Sequence, residues 1–475
     1  MIRAPVVTIT IDRWDWSSGK IRDTTDLTPY SLAFQFQKSI GTPSVGSEIT
    51  LWPQIGDLGH ALDFISTMDV VRIYEFGTLK YQGYVTRVGY TGFIDQQGRP
   101  QRAVGVSLNS MGGIIVDTDL GLNIGLLMGD ASNQALGAFY NASKQLSIKL
   151  QQDMLNGLTY AEIVQDIIDS WFSIVDSIGA TSFSAWVTRY FDFKTGLQSG
   201  LSAGTPKGYQ LYTGTEQSIS LWDIMSQVIE SPMNEMWFDE GPRDVNIDGS
   251  NTSLPSDKGA GKTTLVFRST PFDGTVNSAN PNGGYAFTNL PSKQVSLDYL
   301  FRFDLAKAMN QSSSVFNPIA SGSDLSIQTR QLLGQVAVSQ SNLSKYLLRI
   351  FTVQLYYTRV LDDNATQVDS NAPKVKQSVQ DVAQTLKNWF QNNDRYLSGV
   401  LSMMVPKDSG ADPRIGEKVD VESIDGNFYV EGIVHKWQYQ AALMSYLTVT
   451  RGWNYRQNGP MQMVDRIFKR SVTQW

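Results

Sequence analysis

Between Gly426 and Trp437 the chain reads Gly-Asn-Phe-Tyr-Val-Glu-Gly-Ile-Val-His-Lys-Trp. A β-strand points successive side chains to opposite sides of its sheet. By that rule Phe428, Val430 and Val434 fall on one face, and Tyr429, Ile433, His435 and Trp437 on the other. Apolar residues on both faces require cover on both, so this sheet is predicted to close into a barrel or to pack between neighbours. Val419-Asp-Val-Glu just before it alternates apolar with acidic residues, and Asp425-Gly426 suits a tight hairpin turn. Gly399–Val405 and Leu447–Thr450 supply further strands.

The N-terminal part carries the same signature. Strands are predicted at 6–11, 31–38, 48–52, 69–76, 81–89 and 103–108, with residues 12–20 as a polar-aromatic loop. In the second of these, Leu32, Phe34 and Phe36 alternate with Ala33, Gln35 and Gln37, the period of a sheet wet on one side. The period then changes. Thr159 and Glu162 form a capping-box pattern, and Ala161, Val164, Ile167, Ile168, Trp171 and Val175 recur at helical spacing. Leu221, Ile224, Met225 and Val228 repeat the stripe within 220–229. Ser199–Tyr212 reads as a surface loop. Met236–Asp239 is predicted to pair with Leu265–Arg268 across a polar insertion. Residues 320–345 form a polar excursion, and Leu347–Tyr357 is apolar. Pro373 opens a helix through Val375, Val379, Val382, Leu386, Trp389 and Phe390 that packs under the C-terminal strands.

The expected architecture is mainly β with α+β insertions: two small antiparallel β-barrels plus a helical peripheral domain. The expected units are a first barrel at 1–115, a helical and mixed domain at 116–240 and a β-rich connection at 241–345. A helix plus second barrel follows at 346–452, then a docking tail at 453–475. The chain's 475 residues are too many for one core, and 41% hydrophobic content is enough to fill several.

A net charge of −6 offers no electrostatic grip on DNA or an anionic membrane. Zero cysteines removes disulfides, thiolate metal sites and cysteine nucleophiles, and fits assembly in a reducing cytoplasm. No run of apolar residues is long enough for a membrane span. Motifs that look like chemistry fail on inspection. Lys258–Thr264 lacks the first glycine of a phosphate loop and leads into a strand instead of a helix, so it reads as a basic turn. Asp244–Gly249 begins like a calcium loop, but its twelfth position is Pro255, which favours an Asx-rich turn. Two histidines, His60 and His435, are too few for a histidine-built zinc site. Neither a catalytic residue nor a metal or cofactor ligand is assigned.

Residues 415–452 resemble the last domain of phage tail and baseplate hub proteins. There a G-x-x-V strand (Gly416–Val419) leads into a G-x-F-Y-V-E-x-V-x-H-x-W strand (Gly426–Trp437) and one ending L-T-x-T-R-G (Leu447–Gly452). A second local match lies in Trp237–Glu240 and Leu265–Phe272, similar to tail-hub proteins of phages of Gram-positive hosts, and Gln294–Asp304 leading into Val315–Pro318 is also similar. The resemblance implies a homotrimer whose two barrels per chain form a pseudo-sixfold ring. It also implies the tail tube protein, the central spike, the tape measure protein and other baseplate proteins as partners, with DNA or effector passing through the lumen. The location implied is the virion tail or a phage-tail-like particle. A competing reading is a secreted or cell-wall carbohydrate-active enzyme with a C-terminal binding barrel, in which Trp14, Trp16 and Trp186 stack on sugars. A tail-tip protein of a non-contractile phage would share the first reading's fold.

Overall fold

A computed structural model describes residues 7–94, 100–120, 160–177, 179–193, 219–229, 234–240 and 261–269. It also describes 278–279, 283–289, 294–297, 335–337, 344, 350–353, 397–405, 413–421 and 426–454. The fold is mainly β. Its N-terminal strands are β1 (Val7–Asp15), β2 (Lys20–Asp26), β3 (Ser31–Ser39), β4 (Gly46–Leu51), β5 (Val70–Glu75), β6 (Thr78–Ile94) and β7 (Pro100–Ser110). The hairpin β1–β2 occupies the stretch expected to be a loop. Its polar residues pair with one another across the hairpin: Arg13 binds Asp23 at 2.8 Å and Thr24 donates to Asp12 at 2.6 Å. Asp15 accepts from the hydroxyls of Ser17 and Ser18, both at 2.7 Å, and so holds the turn. Only Trp14 among them needs the core, and it is buried.

After two short helices, α1 (Ala61–Phe64) between β4 and β5 and α2 (Gly113–Asp117), come α3 (Tyr160–Ser177), α4 (Thr181–Tyr190) and α5 (Leu221–Ile229), with the short strands β8 (Asp119–Leu120), β9 (Phe191–Asp192) and β10 (Ile219–Ser220) beside them. All six apolar residues predicted along α3 are buried, as are Leu221, Ile224 and Met225 of α5. Thr159 lies outside the described residues. Ser220 caps α5 reciprocally with Asp223, accepting from its N–H at 3.1 Å and donating to its carboxylate at 2.7 Å. Helix α4 was not anticipated; Phe183, Trp186, Val187 and Tyr190 share one face at helical spacing, masked by the serines and threonines between them.

Strands β11 (Asn234–Glu240) and β12 (Thr263–Ser269) pair as the sequence predicts, with Trp237 opposite Val266 and Phe238 opposite Leu265. The described positions of both strands are buried on each side. Met236, Phe238, Leu265 and Phe267 pack on the helices, while Trp237 and Val266 enter the C-terminal core. The hairpin is therefore a wedge with two apolar faces. Gly112 sits under it: a Cβ there would lie 2.0 Å from the Pro43 carbonyl and 2.5 Å from the Phe238 ring.

The C-terminal strands are β13 (Ser278–Ala279), β14 (Gly283–Asn289), β18 (Leu397–Met404), β19 (Lys418–Val421), β20 (Gly426–Gln438) and β21 (Met444–Asn454), and β15 (Gln294–Leu297), β16 (Gln335–Ala337) and β17 (Ile350–Val353) form a small separate sheet. The Ser199–Tyr212 loop, the Asp244–Pro255 turn, Val315–Pro318, most of 320–345, the helix after Pro373 and the tail beyond Asn454 lie outside the described residues.

One expectation needs correction. Val430 pairs with Val449 but Gly432 pairs with Thr448, so Glu431 is an extra residue, a β-bulge that reverses the alternation. Phe428 and Val430 thus share their buried face with Ile433 and His435, whereas Val434 is only half-buried and Lys436 is exposed on the other side. The strand has one core face, and its apparently two-faced pattern is the bulge read as if the strand were regular.

Thirteen of the described strands form one sheet along the path β14-β18-β21-β20-β3-β4-β7-β6-β5-β1-β2, with β19 and β13 branching from β20. The path is open at both ends among the described residues; it does not close into two separate rings. It also repeats. In the N-terminal half the order is β1-β5-β6-β7-β4-β3; in the C-terminal half it is β13-β19-β20-β21-β18-β14. Chain order matches as well, and every corresponding pair is antiparallel except β13–β19, which is parallel where β1–β5 is not. The long strand of each half carries a bulge at the same place: after Val85 in β6 and after Val430 in β20.

Replacing Gly112 by alanine forces the Phe238 ring or the Pro43 backbone to move. It is expected to lower unfolding free energy by about 1–3 kcal/mol, read as a drop in the urea midpoint.

Candidate functional site: the seam between the two halves

The halves meet where β3 pairs with the far part of β20, from Gly432 opposite Ser39 to Gln438 opposite Ala33. Past this point Ile40 N–H donates to the Glu431 carbonyl and Gly41 N–H to Met236, both at 2.9 Å, so the exit from β3 is tied to β20 and β11 together. Gly432 suits the crossing: a Cβ there would lie 3.3 Å from the Lys38 carbonyl.

On the core face the seam is aromatic. His435 stands opposite Phe36 and Trp437 opposite Phe34. The rings follow: Phe34 to Trp437 at 5.8 Å, Phe36 to His435 at 4.9 Å, and Phe36 to Tyr81 at 5.1 Å. Such pairs contribute about 0.5–1.5 kcal/mol each beyond the area they bury. Tyr81 lies against a close backbone approach, since a Cβ on Gly83 would come 2.4 Å from its hydroxyl.

Two buried polar contacts cross the same place. His435 donates from Nδ1 to both carboxylate oxygens of Glu75, at 2.8 and 2.9 Å. The carboxylate can only accept, which assigns the proton to Nδ1. The sequence reading placed His435 in the strand but had no partner for it. Lys38 binds Glu240, lies 3.5 Å from Asp239 and donates to the Lys80 carbonyl at 2.6 Å. Burial pushes the Lys38 ammonium down to about 8; Asp239 pulls it up, and Lys80 and Arg414 add to the fall. Gln82 extends the network by donating to the Tyr190 carbonyl at 2.9 Å and to the Thr263 hydroxyl at 3.2 Å. Tyr429 binds both oxygens of Glu235 at 2.7 Å. Segments from the two sheet halves, α4 and the β11–β12 wedge are thereby joined by polar contacts as well as packing.

The cavity among Phe36, Lys38, Asp239, Glu240, Arg414 and His435 is about 30 Å3. That is room for a water molecule and not for an organic substrate. Among the described residues no group of three or more His, Asp or Glu side chains is arranged to hold a metal ion, and no helix is long and apolar enough to cross a membrane. Lys262 donates to the Thr188 carbonyl at 2.9 Å and Thr263–Ser269 is a strand, so that stretch has no helix N-terminus to face a phosphate. Of the three tryptophans offered for sugar stacking, Trp14 and Trp186 are buried, and Trp16 is exposed with one face stacked on Trp186 at 6.3 Å. What the seam's geometry can do is hold two sheet halves edge to edge.

The sign of the Lys38 effect follows from its depressed value. Below pH 8 it is charged whether folded or unfolded, and the cost of burying the charge is fully present. Between about 8 and its ordinary 10.5 the unfolded chain retains a proton that the folded chain gives up, so stability climbs with pH. Wild type is expected to gain up to about 1.4 kcal/mol per pH unit in this window relative to Lys38→Arg, whose guanidinium stays charged. Denaturant titrations at pH 7.5, 9 and 10 check this. Phe36→Ala, which empties the aromatic contact on both sides of the seam, is expected to cost about 3–5 kcal/mol in the same assay.

No protein-family profile matches the sequence, and no curated protein aligns with it. Among solved structures the chain is similar to a tail protein from Neisseria meningitidis MC58, at 9% identity and a TM-score of 0.47, covering 94% of this chain and 96% of that one. It is similar to a 43 kDa tail protein of prophage MuSo2 from Shewanella oneidensis, at 11% identity and 0.42, covering 94% and 98%. A component of the E. coli type VI secretion system, described as similar to bacteriophage T4 tail proteins, aligns at 9% identity and 0.36, covering 92% and 77%. Each of these TM-scores lies below 0.5.

Proposed function

We propose that this chain is a structural hub of a phage tail or phage-tail-like injection machine. Three copies form a ring that joins the tail tube to the central spike and adapts sixfold to threefold symmetry. The observation that carries the reading is the repeat: two sheet halves of one topology, set edge to edge in one chain by β3 and β20. Three such chains present six like units, which is what a threefold part needs in order to meet a sixfold tube. The resemblance of Gly416–Gly452 and of the β11–β12 wedge to tail-hub sequences supports the same reading. Tail tube protein, spike, tape measure protein and other baseplate proteins are its proposed partners. DNA or effector passes through the lumen without specific binding, and the working location is the virion tail or baseplate after assembly in the host cytoplasm.

Light scattering on the purified chain is expected to give a mass of three times 52.8 kDa. A monomer at every concentration would exclude the ring.

A further inference from the structure

The two halves of the sheet are built alike, yet among the described residues only one of them has its neighbour. In the seam, β3 lies on residues 432–438 of β20, beyond the bulge. The counterpart of β20 is β6, and beyond its bulge at Thr86 the strand runs on to Ile94. There it is paired with β7 on one side and with no described strand on the other, since the pairing with β5 ends at Val70 opposite Tyr84. The counterpart of β3 is β14, paired with β18 and with no other described strand. One chain therefore holds a finished seam and the two unmatched edges of a second.

Side-chain exposure marks the gap. Val85, Thr86 and Arg87 stand where Val430, Glu431 and Gly432 stand, which sets Val88 against Ile433 and Tyr90 against His435. Ile433 and His435 are 8% and 3% exposed under β3. Val88 is only half-buried, and Tyr90, with the edge of His60 at 5.5 Å as its ring contact, is 66% exposed. A Cβ at Gly89 would meet nothing within 4 Å. An unpaired edge carrying an exposed aromatic is a template for another strand.

We propose that β14 of a second copy of this chain pairs antiparallel with residues 88–93 of β6, in the register of the existing seam. Residues 33–38 of β3 correspond to residues 284–289 of β14 through their partners on β4 and β18: Gln35 lies opposite Glu48 as Ala286 lies opposite Val400. Carried across, the seam's register sets Tyr90 opposite Phe287 of the partner subunit, as His435 stands opposite Phe36, and Val88 opposite Asn289 of the partner subunit. Each chain gives one edge and receives the other, so the contact is head-to-tail and closes only if the rotation between copies allows it. The inference rests on the proposed trimer and names the strands that make it.

The chain has no cysteine of its own, so paired substitutions report register directly. Tyr90→Cys with Phe287→Cys is expected to oxidise to interchain disulfides, seen as covalent dimers and trimers under denaturing conditions. Tyr90→Cys with Ala286→Cys, one residue out of register and so facing opposite sides of the sheet, is expected to give none. Wild-type protein supplies a reading independent of the variants' folding: in the trimer, amide hydrogens of 88–93 and 284–289 should exchange at least tenfold more slowly than after dilution to monomer. A trimer in which both stretches exchange freely, or in which the off-register pair cross-links instead, overturns this interface while leaving the hub reading intact. A chain that never leaves the monomer overturns both.

Discussion

Everything in this molecule hangs on the antiparallel pairing of β3 with β20. Among the described residues it is the one strand pairing between the N-terminal and C-terminal parts, and the side chains above it match. Phe34 and Phe36 meet Trp437 and His435 ring to ring. Glu75 and Lys38 bring polar groups into the same buried space, each hydrogen-bonded to a partner from a distant segment. Buried ion pairs of this kind add little net stability, because desolvation offsets most of the attraction. They do penalise slippage: moving β20 by one residue would turn His435 away from Glu75 and leave a buried carboxylate alone. Apolar packing holds the seam, and the ions fix its register.

Much of the β framework was legible from alternation. Strands β3, β4, β5 and β7 fall close to their predicted bounds, as do β18 and β19, and the β11–β12 pairing emerged from matched apolar runs across a polar insertion. What the pattern could not disclose has physical causes. A bulge reverses parity without changing composition, so Glu431 made a one-faced strand look two-faced. The end of β1 and the turn into β2 hide because their polar residues satisfy one another across the hairpin. Helix α4 hides because serine and threonine dilute its apolar face.

The seam itself was the least legible part. Its strands could be found locally, but nothing local says that β20 passes β19 and goes on to reach β3. The ion partners are equally remote, with 202 positions between Lys38 and Glu240 and 360 between Glu75 and His435. The repeat shows only when strand orders are laid side by side, because sequence similarity between the halves survives in little more than Tyr84-Val85 and Tyr429-Val430. Topology preserves what residue identity has lost.

That 360-position span has a bearing on how the protein is made. While the ribosome is still translating the middle of the chain, β3 has β4 on one side only, and its other hydrogen-bonding rim is open to any extended peptide nearby. Contacts this far apart close slowly because a very large loop must be ordered first. Residues 432–438 are made long after β3, so a product terminated before them keeps that rim bare.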